Sequence, residues 1–282
     1  MVDGEGSCGQ TVVCGQMVEG AIMTLGLRSP LLEGAGFRHA FFGRQGGVSP
    51  PPWDTLNFST ASGDVVSAVG TNLQRAAAEI GVSAEHIYYL SQVHGCDHRV
   101  LLGQEDREAL LFEEGDITLS SVPWVGCGVR AADCPAVLVA DRVTGSVAAI
   151  HSGWRGTVAG VAAAGVAALR ALINGPGDLI AAVGPHIERC CFEVGADVAA
   201  QLAAASDCGA AAVVHGFPKP HVDLRQVIEA QLRSVGVRDV DHVAGCTMCD
   251  AERFHSYRRD GPRSGRMLGV IVAREQGARL RQ

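Results

Sequence analysis

Aromatic residues make up only 5% of the 282 positions, which argues against the base-stacking platforms of single-strand nucleic-acid binders. An excess of positive charge is also missing. The formal net charge is −7, so a nucleic acid is not the expected partner, although a local basic pocket stays compatible with a single phosphate. No apolar run approaches the roughly 20 residues that cross a bilayer, so no membrane is expected. The opening residues MVDGEGSCGQ lack the basic start and apolar core of a secretory signal. The expected location is the cytoplasm, where the ten cysteines are expected as reduced thiols or metal ligands and not as disulfides. No linker long enough to separate a pair of domains is evident, and no repeat recurs at solenoid periods.

What is present reads as an ordinary globular chain, 47% hydrophobic and 19% charged, long enough to bury a core without staples. Residues 1–30 are rich in glycine and small side chains and are expected to form a poorly ordered extension, with residues 31–282 as the folded domain. Helical spacing covers residues 72–80, with Gly81 as a stop. Residues 87–93 and 124–130 read as strands. Two apolar runs, 136–140 and 146–150, flank Asp141 to Gly145 as a hairpin. Residues 156–172 form the longest helix candidate, 179–183 a buried strand, 224–235 a helix and 267–273 a last strand. Hairpins mixed with helices point to an α+β fold, a single domain with mixed β-sheets flanked by helices.

Three segments place metal-capable side chains beside glycines or strand ends: SQVHG at 91–95, AADC at 131–134 and HSGWRG at 151–156. His94, Cys134 and His151 together make a three-donor set that leaves a fourth position open, the count expected of a catalytic zinc site and not of a closed structural one. Copper is also compatible with imidazole and thiolate. Gln92 and Asp133 are candidates to orient a ligand from behind. For an anion, Arg258 and Arg259 lie beside Ser256, Arg44 is presented on a glycine turn, and Arg155 opens the long helix candidate, whose first amides add to anion binding. Arg266 lies near this basic cluster. Two imitations are set aside. His186-Ile187-Glu188 resembles the start of a deaminase signature, but Gly245 and not proline precedes Cys246. The Cys246–Cys249 pair has no second pair of matching spacing, so it is expected to bind no metal.

Taken in order, HAFFGRQGGVS, WDTLNFS, SQVHG, GDITL, AADC, HSGWRG, VGPHIERCCFEVG, CTMC, FHSYRRDG and SGR resemble the YfiH family, also called laccase-domain or polyphenol-oxidase-like, from about Phe37 to Val272. The resemblance implies a single α+β domain and a zinc site from His94, Cys134 and His151. It also implies phosphorolysis of purine nucleosides (adenosine, inosine, methylthioadenosine), together with adenosine deamination. Its partners would be a small nucleoside and phosphate, with oligomeric state left open. By the same resemblance Cys246 lies near the pocket. Other activities linked to such proteins are copper-dependent polyphenol oxidation and hydrolytic editing of cell-wall precursors; a non-catalytic zinc-binding protein is the remaining alternative. Oxidation through a multi-copper cluster is disfavoured, because no two of the ten histidines stand one residue apart. Two departures from the family pattern, proline directly after Cys134 and Ser152 in place of alanine, touch no donor atom.

Overall fold

The computed structural model describes residues 25–275. Strand β1 (Gly26–Leu27), helix α1 (Pro30–Gly34) and β2 (His39–Phe42) come first, then α2 (Val66–Ile80), β3 (Ile87–Tyr88), β4 (His98–Val100), α3 (Arg107–Leu110), β5 (Ile117–Ser120) and β6 (Gly126–Ala131). The hairpin β7 (Ala136–Asp141) and β8 (Val147–His151) leads into α4 (Trp154–Val158), α5 (Val161–Ile173) and β9 (Leu179–Val183). The chain continues through α6 (Ala196–Ala204), β10 (Val213–Val214), β11 (His221–Val222), α7 (Leu224–Ser234), β12 (Asp239–His242), α8 (Tyr257–Asp260) and β13 (Met267–Val272).

Two mixed sheets, ordered β1-β2-β13-β6-β3 and β12-β9-β7-β8-β5-β4, lie face to face. The expected α+β domain with mixed sheets and flanking helices is the one observed. Strand alternation explains the layering. Leu138, Ala140, Ala149, Ile180 and Ala182 of the larger sheet meet Phe41, Cys127, Val129 and Ile271 of the smaller one. The intervening positions Val137, Val139, Ala148, Ile150 and Ala181 face the opposite way, onto α5 and α7. Leu268, Val270 and Val272 of β13 pack with Leu73, Ala76 and Ile80 of α2 on the outer side of the smaller sheet. Both faces of β7 and β8 are therefore covered, which is why they read as continuous apolar runs. Each fully buried valine or isoleucine there contributes about 1.5–3 kcal/mol. Alanine and glycine set the spacing between layers. A Cβ on Gly269 would stand 2.7 Å from that of Ala136, and one on Gly165 would stand 2.4 Å from Cδ1 of Ile150.

Several expectations shift at their edges. Helix α2 begins six residues before the expected start, at Val66, and ends where expected, with Gly81 in the left-handed region at φ 67°. The strand expected over 87–93 keeps only Ile87–Tyr88; Ser91 then makes an isolated bridge to Glu114. The long helix expected over 156–172 is two helices, because Gly160 at φ 80° interrupts it. The amides near Arg155 therefore belong to the five-residue α4 and not to a long helix, which corrects the expected dipole contribution. Of the extension expected over 1–30, residues 1–24 lie outside the described residues. Gly26 and Leu27 pair with Phe42 and Phe41, and buried Ser29 caps α1, so residues 26–30 belong to the fold. Among the described residues no helix is long and apolar enough to cross a membrane.

Candidate metal centre and arginine-lined pocket

Sheet register brings the first donor into place. His151 is the last residue of β8 and stands opposite Ala136, two residues after Cys134. Strand β5 pairs with the other edge of β8, Ile117 opposite Ile150, which puts Asp116 beside His151. The His151 amide donates to the Asp116 carbonyl at 2.8 Å, and His151 Nδ1 lies 2.7 Å from Asp116 Oδ1. Fixing Nδ1 as the donor leaves Nε2 free as a ligand, the carboxylate–histidine arrangement that orients metal-binding imidazoles.

The same carboxylate builds the His94 loop. Amides of Val93 and Gly95 donate to Oδ2 at 3.1 and 2.7 Å, and that of His94 donates to Oδ1 at 3.0 Å. Those bonds hold His94 at φ 64°, a left-handed conformation costing of order 1–3 kcal/mol off glycine. Asp133, at φ 83°, is held likewise: its carboxylate accepts from the Thr247 hydroxyl at 2.6 Å and the Arg258 amide at 2.5 Å. His94 thus sits on one overdetermined, strained turn, and Cys134 directly follows another.

The donor atoms of His94, Cys134 and His151 all lie within 4.8 Å of one another. Cys134 Sγ is 3.8 Å from His94 Nε2, and the imidazole rings meet edge to face with centroids 4.8 Å apart. A tetrahedral zinc with ligands at about 2.0–2.3 Å needs donor separations of about 3.3–3.8 Å, so small shifts would complete the site. Gly153 is required for this closeness, since a Cβ there would stand 2.4 Å from His94 Cδ2 and 3.0 Å from Cys134 Sγ. Burial alone would push the Cys134 thiol up, but the charge and hydrogen bond of His151, with help from His94, bring it to about 6. Burial opposes charge on His151 too, yet the Cys134 thiolate and the Asp116 carboxylate raise it to about 9. Without a metal the group is thus a thiolate–imidazolium pair, and a cation would replace its proton.

These donors line a cavity of about 660 Å³, inside the usual range for small-molecule sites. Its remaining wall carries Arg130, Arg155, Arg258 and Arg266 together with Trp154, Phe192 and Tyr257. None of these four arginines has a carboxylate within ion-pair distance among the described residues. Burial and the neighbouring charge of Arg266 lower the Arg130 pKa. Aromatic faces support all four, Arg130 on Tyr89 at 4.5 Å, Arg155 on Trp154 at 4.4 Å, Arg258 on Phe192 at 5.8 Å and Arg266 on Tyr257 at 5.6 Å.

Two expected anion ligands are placed elsewhere. Arg44 is spent on the Asp54 carbonyl, the Ala251 carbonyl and the Asp54 carboxylate. Arg259 is spent on the carbonyls of Thr247 and Phe254 and on Asp260. Neither lines the cavity. A guanidinium fork suits backbone carbonyls as well as oxyanions, and sequence alone does not separate the two uses. Gln92 lines the cavity but exchanges both amide bonds with the Arg130 backbone at 2.7 Å. It pins Arg130 and does not reach a donor. Sequence reasoning misses Asp116 and Arg130; the only hint of Asp116 is its place in the GDITL segment.

The family described as multi-copper polyphenol oxidoreductase laccase matches residues 38–274. The chain belongs to that family. Among similar proteins, "Purine nucleoside phosphorylase ORF3" of Streptomyces griseus is 37% identical over 82% of this chain and 92% of its own length. "Purine nucleoside phosphorylase YfiH" of Escherichia coli is 37% identical over 81% of this chain and 90% of its own. The crystal structure of YlmD from Geobacillus stearothermophilus superposes with a TM-score of 0.78 at 29% identity, covering 86% of this chain and 93% of that one.

Proposed function

We propose that this laccase-like chain is a metal-dependent purine nucleoside phosphorylase, acting on adenosine, inosine or methylthioadenosine. The observation that carries the reading is the conjunction, in one cavity, of a three-donor centre with arginines that lack carboxylate partners. Relatives that bear the phosphorylase name support it. In phosphorolysis a phosphate oxygen bonds to C1′ of the ribose as the C1′–N bond to the base breaks. The base leaves with the electron pair and takes up a proton. Arg130, Arg155, Arg258 and Arg266 hold the phosphate dianion by charge-assisted hydrogen bonds, strengthened by partial burial at Arg130 and Arg266. Trp154, Phe192 and Tyr257 offer flat faces for a purine. The donor set fits zinc by its count and its Asp116 support, and copper(I) suits the same atoms. When bound, such an ion would serve as a Lewis acid toward a substrate atom.

The test is turnover of adenosine on metal-analysed protein, with and without phosphate. Adenine with ribose 1-phosphate, formed only with phosphate, is the expected result. Inosine formed without phosphate would establish deamination, and no product with any purine nucleoside would overturn the reading. Replacing Cys134 with alanine removes the only thiolate of the set and should abolish turnover while the protein stays folded. Full activity in that variant would exclude the metal centre from catalysis.

A further inference from the structure

The expectation that Cys246 and Cys249 lack partners is corrected by the fold. Cys190, Cys191, Cys246 and Cys249 bring their sulfur atoms within 4.8 Å of one another. Cys249 Sγ stands 3.6 Å from Cys190 Sγ and 3.3 Å from Cys191 Sγ. Four thiolates around a tetrahedral zinc at about 2.3 Å lie about 3.8 Å apart along each edge. The observed spacing therefore requires adjustments of about an ångström or less.

We propose that these four cysteines bind a second thiophilic divalent ion, zinc by chemistry, in a closed structural site separate from the His94–Cys134–His151 centre. Backbone geometry presents the two pairs to each other. His186 and Cys246 form a parallel bridge, in which the His186 amide donates to the Gly245 carbonyl at 3.1 Å and the Thr247 amide to that of His186 at 3.0 Å. From that clamp one strand turns into Cys190-Cys191 and the other into the Cys-x-x-Cys loop, closed by the Asp250 amide on the Cys246 carbonyl at 3.1 Å. Four thiolates on a divalent ion carry a net double negative charge, and two guanidinium groups lie on the loops that supply them. Arg258 donates to the Glu193 carbonyl at 3.1 Å, and Arg259 to that of Thr247 at 2.9 Å.

The ion would staple the wall of the cavity. Ile187 and Phe192 flank the first cysteine pair and line the cavity, as does Arg258. Thr247, inside the second pair, bonds Asp133 next to Cys134. With all four positions filled by protein, the ion has no site for substrate, and its effect on turnover would pass through the placement of that wall.

The experiment is metal analysis of the reduced full-length chain after loading with zinc chloride and removal of excess. Wild type should hold about two zinc equivalents, and Cys190→Ser/Cys249→Ser about one. Cys134→Ala, lacking the other centre, should also hold about one. Loading with Co²⁺ provides a second readout that does not depend on nucleoside turnover. The strong visible bands of tetrahedral thiolate cobalt should persist in Cys134→Ala and vanish in the Cys190/Cys249 double variant. If that variant fails to fold, mercurial titration of zinc-loaded Cys134→Ala, which lacks the other thiolate ligand, should release its one zinc to an indicator dye. One equivalent in wild type, unchanged in the double variant, would overturn the proposal. So would a Cys191–Cys249 disulfide persisting in the zinc-loaded reduced protein. Loss of the second equivalent with phosphorolysis absent throughout would refute the proposed activity and leave the staple standing.

Discussion

Asp116→Asn is the sharpest perturbation of the centre, because it keeps the shape and removes the charge of a group that stands behind a donor and not in the donor set. The Asp116 Oδ1 atom accepts from the His94 amide and faces His151 Nδ1, and Oδ2 accepts from the amides of Val93 and Gly95. An asparagine in either orientation turns an NH₂ toward one of those donor pairs. Two hydrogen bonds are lost and two donors, partly or fully buried, are left facing a donor, at about 1–3 kcal/mol each. The expected loss of stability is therefore roughly 2–6 kcal/mol, reduced where the loop relaxes or water reaches the donors. With the His151 ring and the His94 turn no longer fixed, zinc affinity should fall about 10–100-fold. Zinc affinity is read by competition with a chelating dye and stability by urea unfolding, both at neutral pH. An intact affinity with the stability loss alone would show that Asp116 serves the loop and not the imidazole. A stability loss below about 0.5 kcal/mol would refute the hydrogen-bond reasoning itself.

Gly153→Ala changes no donor, yet its Cβ would press on His94 and Cys134; zinc affinity should fall about 5–150-fold, since overpacking typically costs about 1–3 kcal/mol, and unchanged affinity would mean that the His94 ring yields freely. Arg130→Gln and Arg266→Gln should each raise the phosphate KM about 10–100-fold, the worth of a charge-assisted hydrogen bond. Arg44→Gln, outside the cavity, should leave the phosphate KM unchanged, and equal effects in all three variants would dissolve the assigned anion site. His255 is 1% exposed, and burial, then the charge of Arg44, lowers its pKa from 6.5 to about 4. The unfolded chain thus binds this proton first, and stability should drop by about 2 kcal/mol between about pH 7 and 5. His255→Phe should flatten that stretch of the urea-unfolding profile, and an identical pH slope in the variant would remove His255 as its source.

Legibility in the sequence follows burial. β7, β8 and β9 are readable because both of their faces are covered, so their apolar runs are unbroken and the Asp141–Gly145 turn separates two of them. Helix α7 is readable because Leu224, Val227, Ile228 and Leu232 form one buried stripe. The segment 89–93 reads falsely as strand because its apolar residues serve an irregular loop, in which Ser91 pairs with Glu113 and Gly115 and the Val93 amide goes to the Asp116 carboxylate. Gly160 is easily overlooked because an alanine-rich helix tolerates glycine by composition, and only its positive φ ends the turn. Of the centre, the three donors are legible as metal-capable residue types beside glycines or strand ends. Asp116 is not, since its role depends on the β5–β8 register. Arg130 sits inside an apolar strand and gives no basic cluster to notice. The four cysteines come together through a bridge between segments far apart in sequence, His186 and Cys246, which no local spacing encodes.

An acidic chain that keeps Arg130, Arg155, Arg258 and Arg266 around one cavity, without carboxylate partners among the described residues, bears a cost. Like charges crowd there, and the depressed pKa of Arg130 shows the crowding acting with burial. Pairing each arginine with one of the 30 acidic residues would relieve that cost and also fill the site. The arrangement makes sense if an anion from solution supplies the missing charge, which is how perturbed groups come to mark functional cavities. The short helices and loop bearing Arg155, Arg258 and Arg266 need bracing that the two sheets do not provide, because only Arg130 stands on a strand. Asp133 and Gln92 provide some of that bracing through Thr247, the Arg258 amide and the Arg130 backbone. A thiolate-bound ion at Cys190, Cys191, Cys246 and Cys249 would provide the rest, locking the wall segment that carries Ile187 and Phe192. On this reading the polar residues around the cavity divide into those that meet the substrate and those that hold the first group still.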